Sequence, residues 1–259
     1  MQEVNFNFEG ETVVVTGGSS GIGREIALQF AEAGATVVNG DLEASPDHVE
    51  TATHELIEQR GGTATYAETD VTNSADLTAL IDEAREYGGV DIMVNNAGVN
   101  FRKSILEISE EDYEAAVGVN FFGVLFGTQI AAMDMIERNV SGCIINTASI
   151  RTDLALGSQI LYNSTKGAVK MITKSAALDL IDDEIRVNGI SPGRTVTALA
   201  DTTKNAAEMA DSGQLEKEIP AERPATPKEI APTVLYMASD ATEYMTGEII
   251  TVDGGLSIY

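Results

Sequence analysis

Short apolar runs alternate regularly with longer segments of helical periodicity, and this alternation is the strongest constraint on the fold. Seven runs rich in Val, Ile and Thr predict strands. They are Thr12–Thr16, Thr36–Asn39, Thr63–Glu68, Asp91–Asn95, Cys143–Thr147, Arg186–Ile190 and Ile249–Val252. Six segments predict helices: Ile22–Ala33, His48–Arg60, Ser74–Tyr87, Glu110–Arg138, Gln159–Ile181 and Pro227–Ala238. The pattern predicts an α/β protein with a doubly wound, parallel, seven-stranded sheet that has helices on both faces.

No internal repeat or linker divides the 259 residues, so we expect one domain over residues 1–259. The least regular stretch is 197–224, which contains two of the six prolines. Long loops inside a compact domain usually have a function, so we expect a substrate lid there.

The chain is strongly acidic, with 41 Asp and Glu against 16 Lys and Arg and a formal net charge of −25. Such a charge argues against binding to nucleic acid or to an anionic membrane. The acidic residues are spread along the chain, which is typical of a solvated acidic surface. We interpret this as the surface of a halophilic protein, and an ordinary acidic protein is the alternative.

The compartment follows from the cysteine count and the N-terminus. Cys143 is the only cysteine, so no intrachain disulfide can form. The N-terminus lacks a signal-peptide pattern, and no uninterrupted apolar run reaches 18 residues. A cytoplasmic protein without a membrane span is expected. His48 and His54 are assigned to a solvated helix face, and no metal site is predicted.

A glycine-rich loop joins the first predicted strand to the first predicted helix. Glycines allow a sharp turn close to a ligand, and a helix N-terminus offers free N–H groups to a pyrophosphate. This arrangement is typical of a Rossmann fold that binds a dinucleotide. The predicted contacts are Gly17, Ser19, Ser20, Gly21, Ile22 and Gly23.

The second predicted strand is followed by Asp41 and Leu42, 18 and 19 residues beyond Gly23. An acid at about this spacing binds the adenosine ribose hydroxyls. The 2′-phosphate of NADP would face this carboxylate at a cost of about 1 to 4 kcal/mol, so NAD is the expected cofactor. No Lys or Arg stands at position 20 or 42 to bind that phosphate.

The order of motifs closely resembles the short-chain dehydrogenase/reductase family from about residue 10 to residue 255. The glycine loop is followed by Asp70-Val71, Asn95-Asn96-Ala97-Gly98, Asn120, Ser149, Tyr162-x-x-x-Lys166, Pro192-Gly193 and Val252-Asp253-Gly254-Gly255. The resemblance implies that Asp70 and Val71 contact the adenine and that Asn96, Ala97 and Gly98 pass beneath the cofactor. It also implies that Pro192, Gly193, Thr195 and Thr197 lie at the nicotinamide and pyrophosphate.

The predicted catalytic set is Asn120, Ser149, Tyr162 and Lys166. Tyr162 and Lys166 are four residues apart on a predicted helix and so share one face. We expect a nearby ammonium and a cationic nicotinamide to lower the pKa of the tyrosine, so that it can take the alcohol proton. Ser149 is expected to orient the substrate oxygen. By resemblance, Lys166 binds the nicotinamide ribose and Asn120 holds a water that relays protons; a helix kink at Asn120 is compatible with this.

The substrate is less constrained. Three arginines fall in loops that the fold aims at the active site: Arg102, Arg151 and Arg194. Because Arg pairs well with carboxylate, they favour a sugar acid or hydroxy acid, with surface ion pairs as the alternative. Neutral sugars and polyols stay open.

Several other functions fit the same motifs. A 3-oxoacyl-type carbonyl reductase is the main alternative. A non-catalytic NAD-sensing regulator and an NAD-using epimerase are less favoured. Relatives commonly form tetramers, so a homotetramer is expected, paired through Glu110–Arg138, Gln159–Ile181 and the tail Gly254–Tyr259.

Overall fold

A computed structural model of the chain describes residues 5–46, 48–197 and 219–259. Its seven strands are β1 Thr12–Thr16, β2 Thr36–Asp41, β3 Thr63–Glu68, β4 Ile92–Asn95, β5 Gly142–Thr147, β6 Ile185–Pro192 and β7 Ile249–Val252. Its α-helices are α1 Gly21–Glu32, α2 Thr53–Gln59, α3 Ser74–Arg85, α4 Glu110–Val117, α5 Gly123–Arg138, α6 Ile160–Asp179 and α7 Pro227–Ala238.

The strands form one parallel sheet in the order β3-β2-β1-β4-β5-β6-β7. Central β1 pairs with both neighbours through Val13, which lies opposite Val37 in β2 and Ile92 in β4. The chain reverses its direction of winding between β1 and β4, and α/β sheets bind ligands at the carboxyl ends of strands at such a point. The predicted single-domain Rossmann architecture is confirmed.

Alternate residues of β1 enter two separate cores, as strand geometry requires. Val13 and Val15 pack into the layer that contains α1 and α7, while Val14 packs into the layer built from α3, α5 and part of α6. Because both faces of the sheet are covered, β1 and β4 are buried at every residue. This two-sided burial explains their continuous apolar sequences.

The prediction for the second helix is wrong at its start. The helix begins at Thr53 and not at His48. Pro46 precedes a turn in which the Val49 N–H donates to the Pro46 carbonyl at 2.7 Å. A proline fixes its own φ and removes a donor, and the chain enters α2 only after Ala52 in an extended conformation.

The long predicted helix Glu110–Arg138 is one helical span that contains a π-helical segment, Gly118–Phe122, between α4 and α5. By length and composition it is the one helix in the described part of the chain that could cross a membrane. Buried residues of α5 such as Ala131 and Met135 belong to the core beneath the sheet. This packing is that of an internal helix of a folded domain.

A buried carboxylate joins the ends of three elements. Asp134 in α5 is 2 % exposed and accepts hydrogen bonds from Arg85 Nε at 2.7 Å, Arg138 Nε at 2.9 Å and the Val90 N–H at 2.9 Å. Burial works to raise the pKa of Asp134, but these three donors together lower it. The charged carboxylate therefore fixes the turn that leads into β4.

The predicted lid lies largely outside the described residues, because 198–218 are not among them. Its described ends are near the sheet. Thr195 forms a parallel bridge with Ala225, and the Val196 N–H donates to the Ala225 carbonyl at 2.9 Å.

Candidate active site

The carboxyl ends of the central strands open into a cleft of about 310 Å³. It lies where the direction of winding reverses. Its described lining includes most of the residues that the motifs single out. Among these are Gly17, Ser20, Gly21, Ile22, Asp41, Leu42, Asp70, Val71, Asn96, Ala97, Gly98, Ser149, Tyr162, Lys166, Pro192, Gly193, Thr195 and Thr197.

The glycine loop brings the backbone to the floor of this cleft. Gly17 and Gly21 have φ of 67° and 57°, which favour glycine. A Cβ on Gly17 would lie 2.9 Å from the Ala97 Cα, so a side chain would push the loop away from β4. α1 begins at Gly21 with no side-chain cap from Ser20, so its first N–H groups are available to an anion.

Two predicted cofactor contacts in this loop are not among the residues that line the cleft. Ser19 is fully buried. Its N–H donates to Asp41 Oδ2 at 3.0 Å, and its hydroxyl accepts from Asn39 Nδ2 at 3.0 Å. Gly23 packs where a Cβ would collide with the Gly17 carbonyl. Both residues shape the loop instead of facing the cleft.

Asn39 is a residue that the sequence analysis missed. It is a fully buried polar residue that follows Val37 and Val38 in β2, and its Oδ1 has no hydrogen-bond partner among the described residues. A Cβ on Gly18 would collide with that oxygen. On the same loop, Thr53 Oγ1 donates to the Gly18 carbonyl at 2.8 Å, and Arg24 Nη1 donates to Thr53 at 3.0 Å. The loop is therefore held from behind by β2 and α2.

Asp41 lies at the end of β2 as predicted. Its Oδ1 accepts from the Leu42 N–H at 2.8 Å, while Oδ2 holds the Ser19 N–H. The phenol of Tyr66 donates to the Asp41 carbonyl at 3.0 Å. A half-buried carboxylate is thereby fixed on the cleft wall, with the 63 % exposed Leu42 beside it.

The next part of the wall carries the predicted adenine contacts. Asp70 Oδ1 accepts a hydrogen bond from the Thr72 N–H at 2.9 Å. The other carboxylate oxygen, Oδ2, is left available to another donor. Val71 is buried and lies against Gly123, where a Cβ would approach within 2.9 Å of the valine. Thr69, which was not predicted, also lines the cleft.

The segment after β4 forms the opposite floor. Asn96 Nδ2 donates to the carbonyls of Thr16 and Gly17 at 3.2 and 3.1 Å, which ties this segment to the glycine loop. A Cβ on Gly98 would lie 3.3 Å from Asn120 Oδ1 and 3.5 Å from Lys166 Nζ. Because Gly98 has no side chain, its backbone leaves open space on the floor of the cleft, where a dinucleotide can lie close to the chain.

The segment after β6 closes the far side. A Cβ on Gly193 would lie 2.6 Å from the Asp253 Cα, so glycine is required for the strand ends to meet. Thr195 Oγ1 donates to the Gly193 carbonyl at 3.3 Å. Thr197 packs directly against Gly21, where a Cβ would lie 3.3 Å from the threonine methyl.

Three of the four predicted catalytic side chains meet at the end of β5. The Ser149 hydroxyl lies close enough to Tyr162 to lower the pKa of the phenol. Lys166 Nζ lies 5.8 Å from the centre of the Tyr162 ring and donates to the Thr147 carbonyl at 2.7 Å. Tyr162 and Lys166 lie on one face of α6, as their spacing predicts.

Asn120 lies within the π-helical segment and is fully buried. Its Oδ1 accepts from the Val99 N–H at 2.8 Å, and its Nδ2 donates to the Val99 carbonyl at 2.9 Å and to Thr165 Oγ1 at 3.1 Å. π-Helical segments often occur at functional sites. Here the π-helical segment positions Asn120 so that it bonds to the chain beneath the cleft.

Burial sets the protonation of the pair on α6. It lowers the pKa of Lys166 to about 8. It also raises the pKa of Tyr162 above its usual value, an effect that the nearby Ser149 hydroxyl and the Arg151 guanidinium partly offset. The expected lowering of this pKa relies on the charges of Lys166 and of a nicotinamide together and stays a prediction; among the chain's own groups, burial is the largest effect.

None of the three predicted substrate arginines is among the described residues that line the cleft. Arg102 is exposed, and Arg151 and Arg194 are half-buried. Arg151 is the one whose charge acts on Tyr162. The lining of the cleft also includes Val99, Asn100 and Val119, which were not predicted.

The described residues contain no cluster of His, Cys, Asp and Glu able to hold a metal. The histidine prediction is nevertheless wrong in part. His48 lies outside α2, and His54 is not simply solvated, because its ring stacks on Tyr66 and its Nδ1 is buried.

Residues 17–257 match a family model described as Enoyl-(Acyl carrier protein) reductase. Glucose 1-dehydrogenase 2 of Bacillus subtilis strain 168 is 35 % identical over 252 residues, which cover 96 % of each chain. The chain belongs to the short-chain dehydrogenase/reductase family. As a member of this family it binds a nicotinamide cofactor and interconverts alcohols and carbonyl compounds.

Other members of the family are similar over nearly their full length. A 3-oxoacyl-(acyl-carrier-protein) reductase of Thermotoga maritima is 34 % identical over 96 % of this chain and 99 % of its own. A gluconate 5-dehydrogenase of Burkholderia cenocepacia J2315, solved with NADP and tartrate, is 34 % identical, covers 98 % of both chains and has a TM-score of 0.89. The family is therefore shown by sequence and by structure, while its members differ in substrate.

Proposed function

We propose that the protein is an NAD-dependent dehydrogenase that interconverts a secondary alcohol and a ketone on a small, oxygen-rich molecule. The candidate substrates are a sugar, polyol, sugar acid or hydroxy acid. The observation that carries the proposal is that one cleft is lined both by Ser149 and Tyr162 and by the fixed carboxylate of Asp41.

The choice of NAD rests on Asp41. Its carboxylate is held by two backbone N–H groups, so it cannot easily turn away from a 2′-phosphate. Lys166 is the one basic residue among the described residues that line the cleft, and it lies at the end of β5. A 2′-phosphate would therefore meet a negative charge that no described cation beside Asp41 on the cleft wall offsets. The gluconate 5-dehydrogenase contains NADP, so this assignment rests on Asp41 alone.

The chain's own residues supply the proton chemistry of the proposed reaction. When bound, a nicotinamide cofactor would supply the acceptor for the hydride that leaves the alcohol carbon. Tyr162 takes the alcohol proton, and Ser149 donates to the reacting oxygen and holds it in place. Lys166 supplies a positive charge near the phenol, and Asn120 links the site to the buried chain behind it. By resemblance to the family, Asn120 would hold a water through which protons pass between Lys166 and solvent.

The substrate class is supported by the relatives and by charge. A glucose dehydrogenase and a gluconate dehydrogenase are among the relatives, and Arg151 lies close enough to Tyr162 to affect it electrostatically. Although Arg151 is not among the described residues that line the cleft, its positive charge near Tyr162 would favour a substrate with a carboxylate. A 3-oxoacyl reductase remains the second candidate, because the Thermotoga relative has that activity in its name. A regulator is disfavoured because Tyr162 and Lys166 are both present.

The test is NADH formation with sugars, polyols, sugar acids and hydroxy acids, with NAD and NADP in parallel and at high KCl. Turnover of one such substrate with NAD supports the proposal. Reduction of 3-oxoacyl thioesters with NADPH, together with inactivity toward the whole panel, would transfer the assignment to the second candidate.

The assembly and setting belong to the same proposal. We infer a homotetramer in the cytoplasm of a salt-accumulating organism. Exposed apolar side chains on the two helices of the expected interface support the assembly: Tyr113, Leu125, Met133, Ile136, Met171 and Leu178. Ile258 and Tyr259 in the C-terminal tail are also exposed. Light scattering in about 1 M KCl, where the surface charges are largely screened, measures the assembly.

A further inference from the structure

Two amide side chains are joined at the substrate end of the cleft. Asn100 lines the cleft together with Ser149 and Tyr162. Gln159, the residue before α6, is 4 % exposed, and its Nε2 donates to Asn100 Oδ1 at 3.1 Å. Gln159 lies one turn before Tyr162 on the chain. The second amide therefore orients the first beside the catalytic hydroxyls.

This bond fixes which atoms Asn100 can offer. An asparagine amide has one acceptor oxygen and two N–H donors. The oxygen is engaged by Gln159, and no described residue bonds to Asn100 Nδ2. The N–H group is then the free polar atom on the wall. Gln159 Oε1 is buried without a partner in the described chain, although buried polar atoms are normally hydrogen-bonded.

The pair is anchored on its outer side. The Lys103 and Gln159 backbones form a parallel bridge, which joins the loop after β4 to the start of α6. Lys103 Nζ also donates to both carboxylate oxygens of Asp112 at 2.7 Å. Asn100 is therefore held between two fixed elements, and such fixed geometry is what a specificity site needs.

We propose that Asn100 is a specificity-determining residue that donates a hydrogen bond to a second oxygen of the substrate, and that Gln159 is its positioning residue. The inference rests on the proposed function and narrows it. Ser149 and Tyr162 engage the oxygen that is oxidised, so Asn100 serves a neighbouring hydroxyl, carbonyl or carboxylate oxygen. The substrate class is then a vicinal diol, sugar or hydroxy acid, since an alkyl chain would leave the amide unpaired.

Asn100→Asp is the decisive variant, because it keeps the size and removes the donor. If the wild type oxidises 2,3-butanediol and gluconate, kcat/KM for each of these substrates should be about tenfold or more lower in Asn100→Asp. The value for 2-butanol, which has one oxygen, should change less than about twofold, and KM for NAD should not change. Gln159→Met, which removes the donor to Asn100, should act in the same direction with a smaller loss.

The matched control is Asn7→Asp, an exposed amide outside the cleft that undergoes the same change of charge. Equal losses for 2-butanol and 2,3-butanediol in Asn100→Asp would overturn the proposal, because they would show a general disturbance of the site.

A binding measurement separates this proposal from the proposed function. Calorimetric titration of the enzyme–NADH complex with gluconate and with 2,3-butanediol requires no turnover. Weaker binding in Asn100→Asp than in Asn7→Asp supports the role of Asn100, even if no NADH forms, and only the proposed function then fails. Equal binding in both variants, or no binding of either compound to the wild type, overturns the role of Asn100.

Discussion

Lys166 Nζ donates a 2.7 Å hydrogen bond to the carbonyl oxygen of Thr147 at the end of β5. The lysine is 3 % exposed, and burial lowers its pKa to about 8. A buried ammonium with one neutral partner is costly, and the fold retains it beside Tyr162. The arrangement therefore exchanges stability for a charge at the reacting end of the cleft.

Lys166→Met should stabilise the protein while it abolishes activity. The pKa is about 8 when folded against 10.5 for the free side chain. The unfolded chain thus binds the proton more tightly, and the full penalty of roughly 3 kcal/mol applies below pH 8. The unpaired Thr147 carbonyl offsets about 1 to 3 kcal/mol, so we expect a net gain on the order of 1 kcal/mol in urea unfolding at neutral pH.

The stability difference should shrink as the pH rises from about 8 toward 10.5, because the wild-type lysine loses its proton. Lys228→Met, at an exposed position on α7, is the control and should show no such trend. A constant difference across this range would contradict the account of Lys166.

Tyr162→Phe should lower kcat for alcohol oxidation by about 10² to 10⁴, since it removes the proton acceptor. In the wild type, burial raises the pKa of Tyr162, so the phenol is largely protonated at neutral pH. Oxidation should therefore speed up with rising pH, and ketone reduction should slow down. Initial rates in both directions across alkaline pH check this, and identical profiles in wild type and Tyr162→Phe would refute it.

Asp134→Ala should destabilise the fold by about 2 to 3 kcal/mol, because it removes the buried acceptor of Arg85, Arg138 and the Val90 N–H. Asp82→Asn is the control, since Asp82 is exposed and its carboxylate lies 4.0 Å from Arg85 Nε, which is long for an ion pair. It should cost at most about 1 kcal/mol. Chemical denaturation measures both, and similar losses would show that Asp134 has no special role.

The melting temperature should rise as KCl is raised toward about 1 M, where the Debye length falls to roughly 3 Å. The reason is the net charge of −25, whose self-repulsion destabilises the folded state at low salt. Thermal melts in KCl and in an uncharged osmolyte of equal osmolality distinguish screening from solute exclusion. A melting temperature independent of KCl would contradict the halophilic interpretation.

The fold and most of the cleft could be predicted because their signals are local. Strand β1 has three consecutive valines, Val13 to Val15, and the loop to α1 carries the glycines that its positive φ angles require. The spacing of Tyr162 and Lys166 follows directly from the helical repeat. These features do not depend on which distant segments meet.

The misses depend on contacts that no local pattern encodes. Asn39 looked like an ordinary strand residue, yet it holds Ser19 across the sheet edge and turns that serine away from the cleft. Asn100 and Gln159 are 59 residues apart and meet only in the fold. The pKa of Tyr162 depends on how deeply the tyrosine is buried, which its sequence position does not reveal.

The central claim is that the cleft uses NAD because Asp41 repels a 2′-phosphate, and the ratio of kcat/KM for NAD to that for NADP tests it most directly. Wild type should favour NAD by roughly ten- to a thousandfold, as about 1 to 4 kcal/mol of repulsion implies. Asp41→Ala should reduce this ratio by at least about tenfold, mainly through kcat/KM for NADP. A wild type that prefers NADP, or a ratio unchanged in Asp41→Ala, would contradict the account.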